Sequence, residues 1–190
     1  MIADCTGLIL AGGDSRRMGR DKTALEFGGR TLLARAIDLM QGVFPQVLVS
    51  VRHARGDIAA TQVFDELPDA GPLAGLCAGL ACSRTPWVFV MAADMPFLEA
   101  GVIRELAARR DDGHEAVVPV VGDVPQPLAA YYATTALPTL RAILAGTGGR
   151  GPRDALARLN AVYVHENRPH DFIDLDTPED VTAAERGSRG

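Results

Sequence analysis

Four cations, Arg16, Arg17, Arg20 and Lys22, fall within seven residues, directly after a glycine pair, Gly12-Gly13, that ends an apolar run. The stretch reads LILAGGDSRRMGRDKTALEF from Leu8 to Phe27. Like charges this close repel one another unless water or an anion lies between them. Backbone N–H groups bared by glycine, together with guanidinium forks, suit a polyphosphate. Arg16 and Arg20 read equally well as solvated neighbours. The spacing matches neither common phosphate loop. A Walker A loop needs Gly-x4-Gly-Lys-Ser/Thr, whereas five residues separate Gly13 from Gly19 and Arg20 follows. The dinucleotide fingerprint needs a glycine where Asp14 stands. A plain strand-to-helix turn is the competing account of the glycine pair.

A second group with chemistry is Asp94, just beyond the apolar run Trp87–Ala92. A carboxylate is poorly placed there unless it meets a cation at a sheet edge; an Asp-x-Pro turn is the alternative. Of the 19 Lys+Arg residues, the only lysine is Lys22, inside the cationic stretch. Either coding bias left one lysine over, or the position needs a compact ammonium in place of a planar guanidinium. His53, His114, His165 and His170 lie apart from any serine motif, so no nucleophilic triad is legible.

These groups need a scaffold, and the chain is long enough for one domain of 190 residues. Apolar residues make up 47% and charged residues 23%, which permits a buried core. The net charge of −5 excludes a bulk basic surface for nucleic acid, so any basic function is local. Cys5, Cys77 and Cys82 form no CxxC or Cys/His cluster and read as reduced thiols of a cytoplasmic protein. No apolar run reaches the ~18 residues of a membrane span. The start carries Asp4 and no early cation, unlike a signal peptide.

Hydrophobic periodicity predicts strands at Thr6–Leu10, Gln46–Val51, Val63–Phe64, Trp87–Ala92, Glu115–Val121, Leu128–Tyr132 and Val162–His165. Helices are predicted at Thr31–Gln41, Gly71–Ser83, Glu99–Arg110, Thr135–Ala145 and Pro152–Leu159. Thr177-Pro178-Glu179-Asp180 starts a last helix, with threonine as cap and acids in the first turn. Gly146–Gly151 reads as a cationic loop, and residues 186–190 as a disordered tail. The alternation argues an α/β fold with a largely parallel sheet. Ligands of such sheets bind beyond the carboxyl ends of the strands. That rule puts the Gly12 loop, the region after Val51 and the segment after Ala93 on one edge.

LAGGDSRRMGRDK resembles the signature Leu-Ala-Gly-Gly-x-Ser-x-Arg-Met-Gly-x-x-Lys of the molybdenum cofactor guanylyltransferases. Four later blocks resemble that family in the same order: FDELPDAGPLAGL from Phe64, VFVMAADMPFL from Val88, QPLAAYY from Gln126 and FIDLDTPEDV from Phe172. The resemblance implies a single three-layer, Rossmann-like nucleotidyltransferase domain over residues 1–190 with a mostly parallel mixed sheet, of the nucleotide-diphospho-sugar transferase type. It implies Mg²⁺-dependent transfer of GMP from GTP to the terminal phosphate of molybdopterin, with release of pyrophosphate. Leu10, Ala11, Gly12 and Gly13 would cradle the nucleotide, with Ser50, Asp65 and Gly71 as further contacts. Ser50 stands where the family often has asparagine, and Glu66 and Asp69 compete with Asp65 for the alignment. Sibling cytidylyltransferases typically read Leu-Ala-Ala-Gly, so Gly12 would admit the larger purine. Arg17 and Lys22 would clamp the leaving phosphates. Asp94 would hold Mg²⁺ and contact the nucleotide. Gly71 and Gly75 would let a buried helix approach closely, or serve ordinary packing.

Arg150 and Arg153, in the loop GGRGPR, are candidates for the pterin phosphate; an exposed basic turn is the alternative. Asp174 and Asp176 occupy late positions where the family often has asparagines associated with the pterin. Aspartate only accepts hydrogen bonds and repels phosphate, so these two serve either a different pterin contact or the helix start. The resemblance further implies transient contact with the proteins that deliver the finished cofactor to molybdoenzymes. Two other readings stay open: a cytidylyl- or sugar-phosphate nucleotidyltransferase on the same fold, and a GTP-binding cofactor carrier without turnover.

Overall fold

A computed structural model describes residues 1–12, 22–65, 67, 70–149 and 151–187, with Lys22 and Gly187 described by backbone alone. Runs of valine, leucine and aromatic residues make the strands, because a parallel sheet covered on both faces buries side chains of either parity. They are β1 (Cys5–Leu10), β2 (Glu26–Phe27), β3 (Arg30–Thr31), β4 (Gln46–Val51), β5 (Thr61–Phe64), β6 (Trp87–Ala92), β7 (Ala116–Val121), β8 (Val124–Pro125), β9 (Ala129–Ala133) and β10 (Ala161–Glu166). The helices are α1 (Leu32–Gln41), α2 (Pro72–Cys82), α3 (Ala100–Ala107), α4 (Leu137–Ala145), α5 (Pro152–Leu156) and α6 (Pro178–Gly187).

Among the described residues the main sheet has eight strands, in the order β10-β7-β9-β6-β1-β4-β5 with β8 beside β7. β5, β4, β1 and β6 run parallel, as do β7 and β10. β9 runs antiparallel to both of its neighbours. The fold is therefore the mixed, mostly parallel α/β sheet expected from the sequence. Strand alternation splits the core into two layers. Ile9, Val49, Phe89 and Tyr131 face the side that holds α1 and α3, while Leu8, Leu48, Val90 and Tyr132 face α2 and α4.

β1 and β6 mark the point where the strand order reverses: the chain moves from β1 out to β4 and β5, then returns to β6 on the other side of β1. α2 makes that return. Residues Leu73 to Leu80 are all buried, and the helix lies against the sheet through two glycines. A Cβ on Gly79 would come 2.3 Å from Leu8 Cδ2, and one on Gly75 would come 2.9 Å from Leu10 Cδ2. Neither distance is open to a real side chain.

Several elements differ in extent from the sequence reading. The third strand extends back to Thr61, because β4 offers partners from Leu48 to Val51. α3 stops at Ala107; Arg109 and Arg110 close tight turns onto the Leu106 and Ala107 carbonyls. The Arg110 guanidinium then folds over the Tyr131 ring, 5.1 Å from its centroid. α5 ends at Leu156, where Arg158 and Leu159 make the same kind of turn. α6 reaches Gly187, so Arg186 and Gly187 are helical where a disordered tail was expected; residues 188–190 lie outside the described ones. The hairpin β2–β3 had no counterpart in the periodicity.

Gly79→Ala is expected to destabilise the fold by about 1–3 kcal/mol, the usual cost of overpacking. Gly101 lies in α3 with nothing within 4 Å of a Cβ position, so Gly101→Ala should stabilise by about 0.5 kcal/mol. Urea unfolding of both variants beside the parent chain checks the pair of signs.

Candidate functional site

Three parallel strand ends meet on one edge, as the sequence predicted. The Ala11 N–H donates to the Ser50 carbonyl at 3.0 Å, and the Ala93 N–H donates to the Leu10 carbonyl at 3.2 Å. Leu10, Ala11 and Gly12 thereby lie between the ends of β4 and β6. Gly13, Arg16, Arg17 and Arg20 lie outside the described residues, as do Glu66, Asp69 and Arg150. Lys22 opens a short 3₁₀ turn, Lys22–Ala24, and its side chain lies outside the description too.

Beside Gly12, Ser50 and Asp65 come together. The Ser50 hydroxyl donates to Asp65 Oδ1 at 2.7 Å. Among the described residues, a Cβ on Gly12 would meet Arg52 Cγ at 3.7 Å and Asp65 Oδ2 at 3.8 Å, both ordinary contacts. Burial lifts the Asp65 carboxyl above its ordinary value of 3.8, opposed by the Ser50 hydrogen bond and the Arg52 charge. Gly71 caps the start of α2 at φ 75°, ψ −167°, a conformation closed to other residues, and a Cβ there would touch nothing within 4 Å. Backbone shape thus explains Gly71. For Gly75 the missing side chain is filled by Ser50 and Leu10, so helix-on-sheet packing explains it.

On the other side of the switch point lies an open cleft of about 540 Å³. Asp94, Gln126, Pro127, Arg153 and Asp174 line it. Its far wall depends on the reversed strand β9, whose start lies at the same edge as the end of β6: the Ala92 N–H donates to the Leu128 carbonyl at 2.9 Å. The buried Tyr132 hydroxyl fixes that wall by donating to the Pro127 carbonyl at 2.9 Å. The Asp94 backbone is braced from behind, its carbonyl accepting the Leu175 N–H at 2.8 Å. Arg153 is exposed at the start of α5, where Asp154 accepts the Gly151 N–H at 3.0 Å and ties down the preceding loop.

Asp94, Arg153 and Asp174 are therefore brought to one cleft, and Gly12, Ser50 and Asp65 to its neighbouring strand ends. Asp176 is placed differently. It is exposed, and its N–H donates to Asp180 Oδ2 at 3.1 Å as part of the α6 start. Thr177 and Asp180 complete that start by exchanging side-chain-to-backbone bonds of 3.0 and 2.8 Å. Arg52 and Gln126 were not singled out from the sequence. Arg52 follows β4 directly, and its signal was its place after a strand end on the ligand edge. Gln126 stood within a quoted block, but its place in the wall follows only from the reversal of β9.

The Asp65 proton is held more tightly in the folded than in the unfolded chain. Its contribution to stability is present below pH 3.8 and is lost as pH rises through the raised folded value. Asp65→Asn, which cannot ionise, should gain stability relative to the parent chain on going from about pH 3.5 to about pH 7. Urea midpoints at the two pH values check the trend.

Residues 7–162 match the family model described as MobA-like NTP transferase domain. A protein of Chloroflexus aggregans named probable molybdenum cofactor guanylyltransferase is 36% identical over 93% of this chain and 91% of its own length. One of Cupriavidus taiwanensis, named molybdenum cofactor guanylyltransferase, is 35% identical over 97% of this chain and 99% of its own. The crystal structure of molybdopterin-guanine dinucleotide biosynthesis protein A from Archaeoglobus fulgidus superposes with a TM-score of 0.83 at 28% identity, covering 97% of this chain and 100% of that one.

Proposed function

The chain belongs to the MobA-like NTP transferase family, and from that premise we propose that it transfers GMP from GTP to the terminal phosphate of molybdenum-molybdopterin. Its full-length relatives carry the guanylyltransferase name. The observation that carries the guanine reading is Gly12. Its backbone is not in a glycine-only conformation, and its described surroundings would accept a methyl group at 3.7 Å or more. None of the described residues requires glycine there, and we read the bare backbone as room for a ligand that lies flat against it.

In this reading Leu10, Ala11, Gly12 and Gly13 hold the base and ribose, with Asp65 beside them. Gly71 and Gly75 act on this end only through α2, by starting the helix and seating it. Arg17 and Lys22 take the β- and γ-phosphates. The acceptor lies in the cleft, its phosphate near Arg153, with Arg150 as a further candidate from the sequence, and Gln126 and Asp174 lie against its polar edges. An oxygen of the acceptor phosphate forms a bond to the α-phosphorus, and the α–β bridging bond breaks. The electron pair leaves with pyrophosphate, toward Arg17 and Lys22. The acceptor phosphate is already anionic, so no general base is needed; positioning and charge neutralisation supply the rate.

Among the described residues no three His, Cys, Asp or Glu side chains form a metal cage. Magnesium does not need one, since it takes one or two carboxylates and completes its shell with phosphate oxygens and water. Asp94, half-buried where β6 opens into the cleft, fits that role. Bound there, Mg²⁺ would neutralise charge on the α-phosphate. We place the reaction in the cytoplasm, since Cys5, Cys77 and Cys82 form no disulfide with one another.

Incubation with GTP, Mg²⁺ and a panel of phosphorylated acceptors, read by mass, should give a guanylated molybdopterin and pyrophosphate. CTP or UTP held far more tightly than GTP would overturn the guanine assignment. Gly12→Ala should melt within a few degrees of the parent chain yet lose GTP affinity by about tenfold, as read by calorimetry. Asp94→Ala should lose Mg²⁺-dependent transfer by a factor of about 100 or more, measured as pyrophosphate release.

A further inference from the structure

Ser50 stands at the end of β4, where a direct nucleotide contact was expected. Its surroundings argue a different task. The residue is 2% exposed, and its hydroxyl is already committed to Asp65 Oδ1 at 2.7 Å. Behind it, a Cβ on Gly75 would lie 2.6 Å from Ser50 Oγ and 3.2 Å from Ser50 Cβ. Only glycine on α2 leaves room for this hydroxyl. In front, Asp65 Oδ2 lies 3.8 Å from the place where a Gly12 side chain would begin. One carboxylate oxygen is therefore held from the interior, and the other faces the bare backbone of the cradle.

We propose that Ser50 is a positioning residue: its hydroxyl fixes the Asp65 carboxylate so that Oδ2 is presented over Gly12 as an acceptor for the N–H or O–H donors of a purine nucleoside triphosphate. The inference rests on the reading of Gly12 and Asp65 as the nucleotide end. An aspartate held only by its own rotamers spreads its oxygens over several directions, and a second contact narrows them to one. The bond to a charged acceptor is also a strong one. The same bond opposes the effect of burial on Asp65, with the Arg52 guanidinium at the end of β4 acting in the same sense. Ser50 thus fixes one oxygen of the carboxylate and favours its charged form.

The test is a double-mutant cycle on the full chain, with Ser50→Ala, Asp65→Asn and the double variant, reading GTP affinity by calorimetry from about pH 5 to about pH 8. Ser50→Ala should bind GTP about tenfold more weakly. The loss of affinity on acidification should set in at higher pH, because Asp65 loses a bond that favours its charged form. The double variant should bind no more weakly than Asp65→Asn alone. If Asp65→Asn is weakened while Ser50→Ala stays within about twofold of the parent, or if the two losses add, the positioning role is refuted and the nucleotide reading stands. If Asp65→Asn binds GTP as the parent does, the nucleotide reading of Asp65 falls, and this inference with it. Carbon-13 titration of the Asp65 carboxyl provides a readout independent of ligand: it should move up in Ser50→Ala, and an unmoved titration would refute the role as well.

Discussion

Ala11 donates its backbone N–H to the carbonyl of Ser50, and Ala93 donates to that of Leu10. Through these two bonds the ends of β4, β1 and β6 finish at one level, and the candidate site residues Gly12, Ser50 and Asp94 are arranged from there. Strand ends in a parallel sheet expose backbone groups that the ladder no longer pairs, which is why such edges collect ligands. Here the same edge carries a glycine two residues past β1, a serine on β4 and a carboxylate two residues past β6. A slip of one residue in any of them would turn its side chain to the opposite face. The edge is therefore specified by the whole apolar length of the strands and not by the residues that stand on it.

The second constraint is the distance between α2 and the sheet. Leu8, Leu10 and Ser50 fill the places that side chains at 79 and 75 would take. The helix is apolar on all sides, so neither partner can be lifted away without exposing surface to water. This close seat places the Gly71 turn at the rim of the cleft, where Pro72 forms part of the lining. It also encloses the Ser50–Asp65 pair, so that a polar contact is made in partly desolvated surroundings, where it counts for more than at an open surface. Packing and recognition are thus not separate layers of this fold: one glycine on a helix decides how a carboxylate on a strand end can point.

Much of this was legible in the residues. Strand β6 and the ends of β4 were readable because continuous apolar runs bounded by turn residues leave few alternatives. The start of α6 was readable because capping is local chemistry: Thr177 and Asp180 find each other within one turn. The reversal of β9 was not, since an apolar strand bears no mark of direction and only its partners decide it. Without that reversal the Gln126–Leu128 wall cannot be foreseen. The glycines show the same limit. Gly12, Gly71 and Gly75 look alike in sequence, yet one has described surroundings that would accept a methyl group, one adopts a backbone shape closed to others, and one lets its own helix seat against the sheet. Ser50 was placed correctly at a strand end, but its hydroxyl is taken by a residue fifteen positions later. The hairpin β2–β3 escaped notice because strands of two residues have no period to detect.

The brace behind Asp94 comes from far along the chain. Leu175, buried against Phe27 and Leu32, holds the aspartate's carbonyl through its own N–H. A ribosome making this protein delivers Asp94 long before it delivers Leu175. In the interval the nascent chain already owns its glycines and carboxylates, but the strand end that joins them to the cleft lacks its buttress. The buttress of this strand end thus arrives late in synthesis, after the strands of the main sheet have been made.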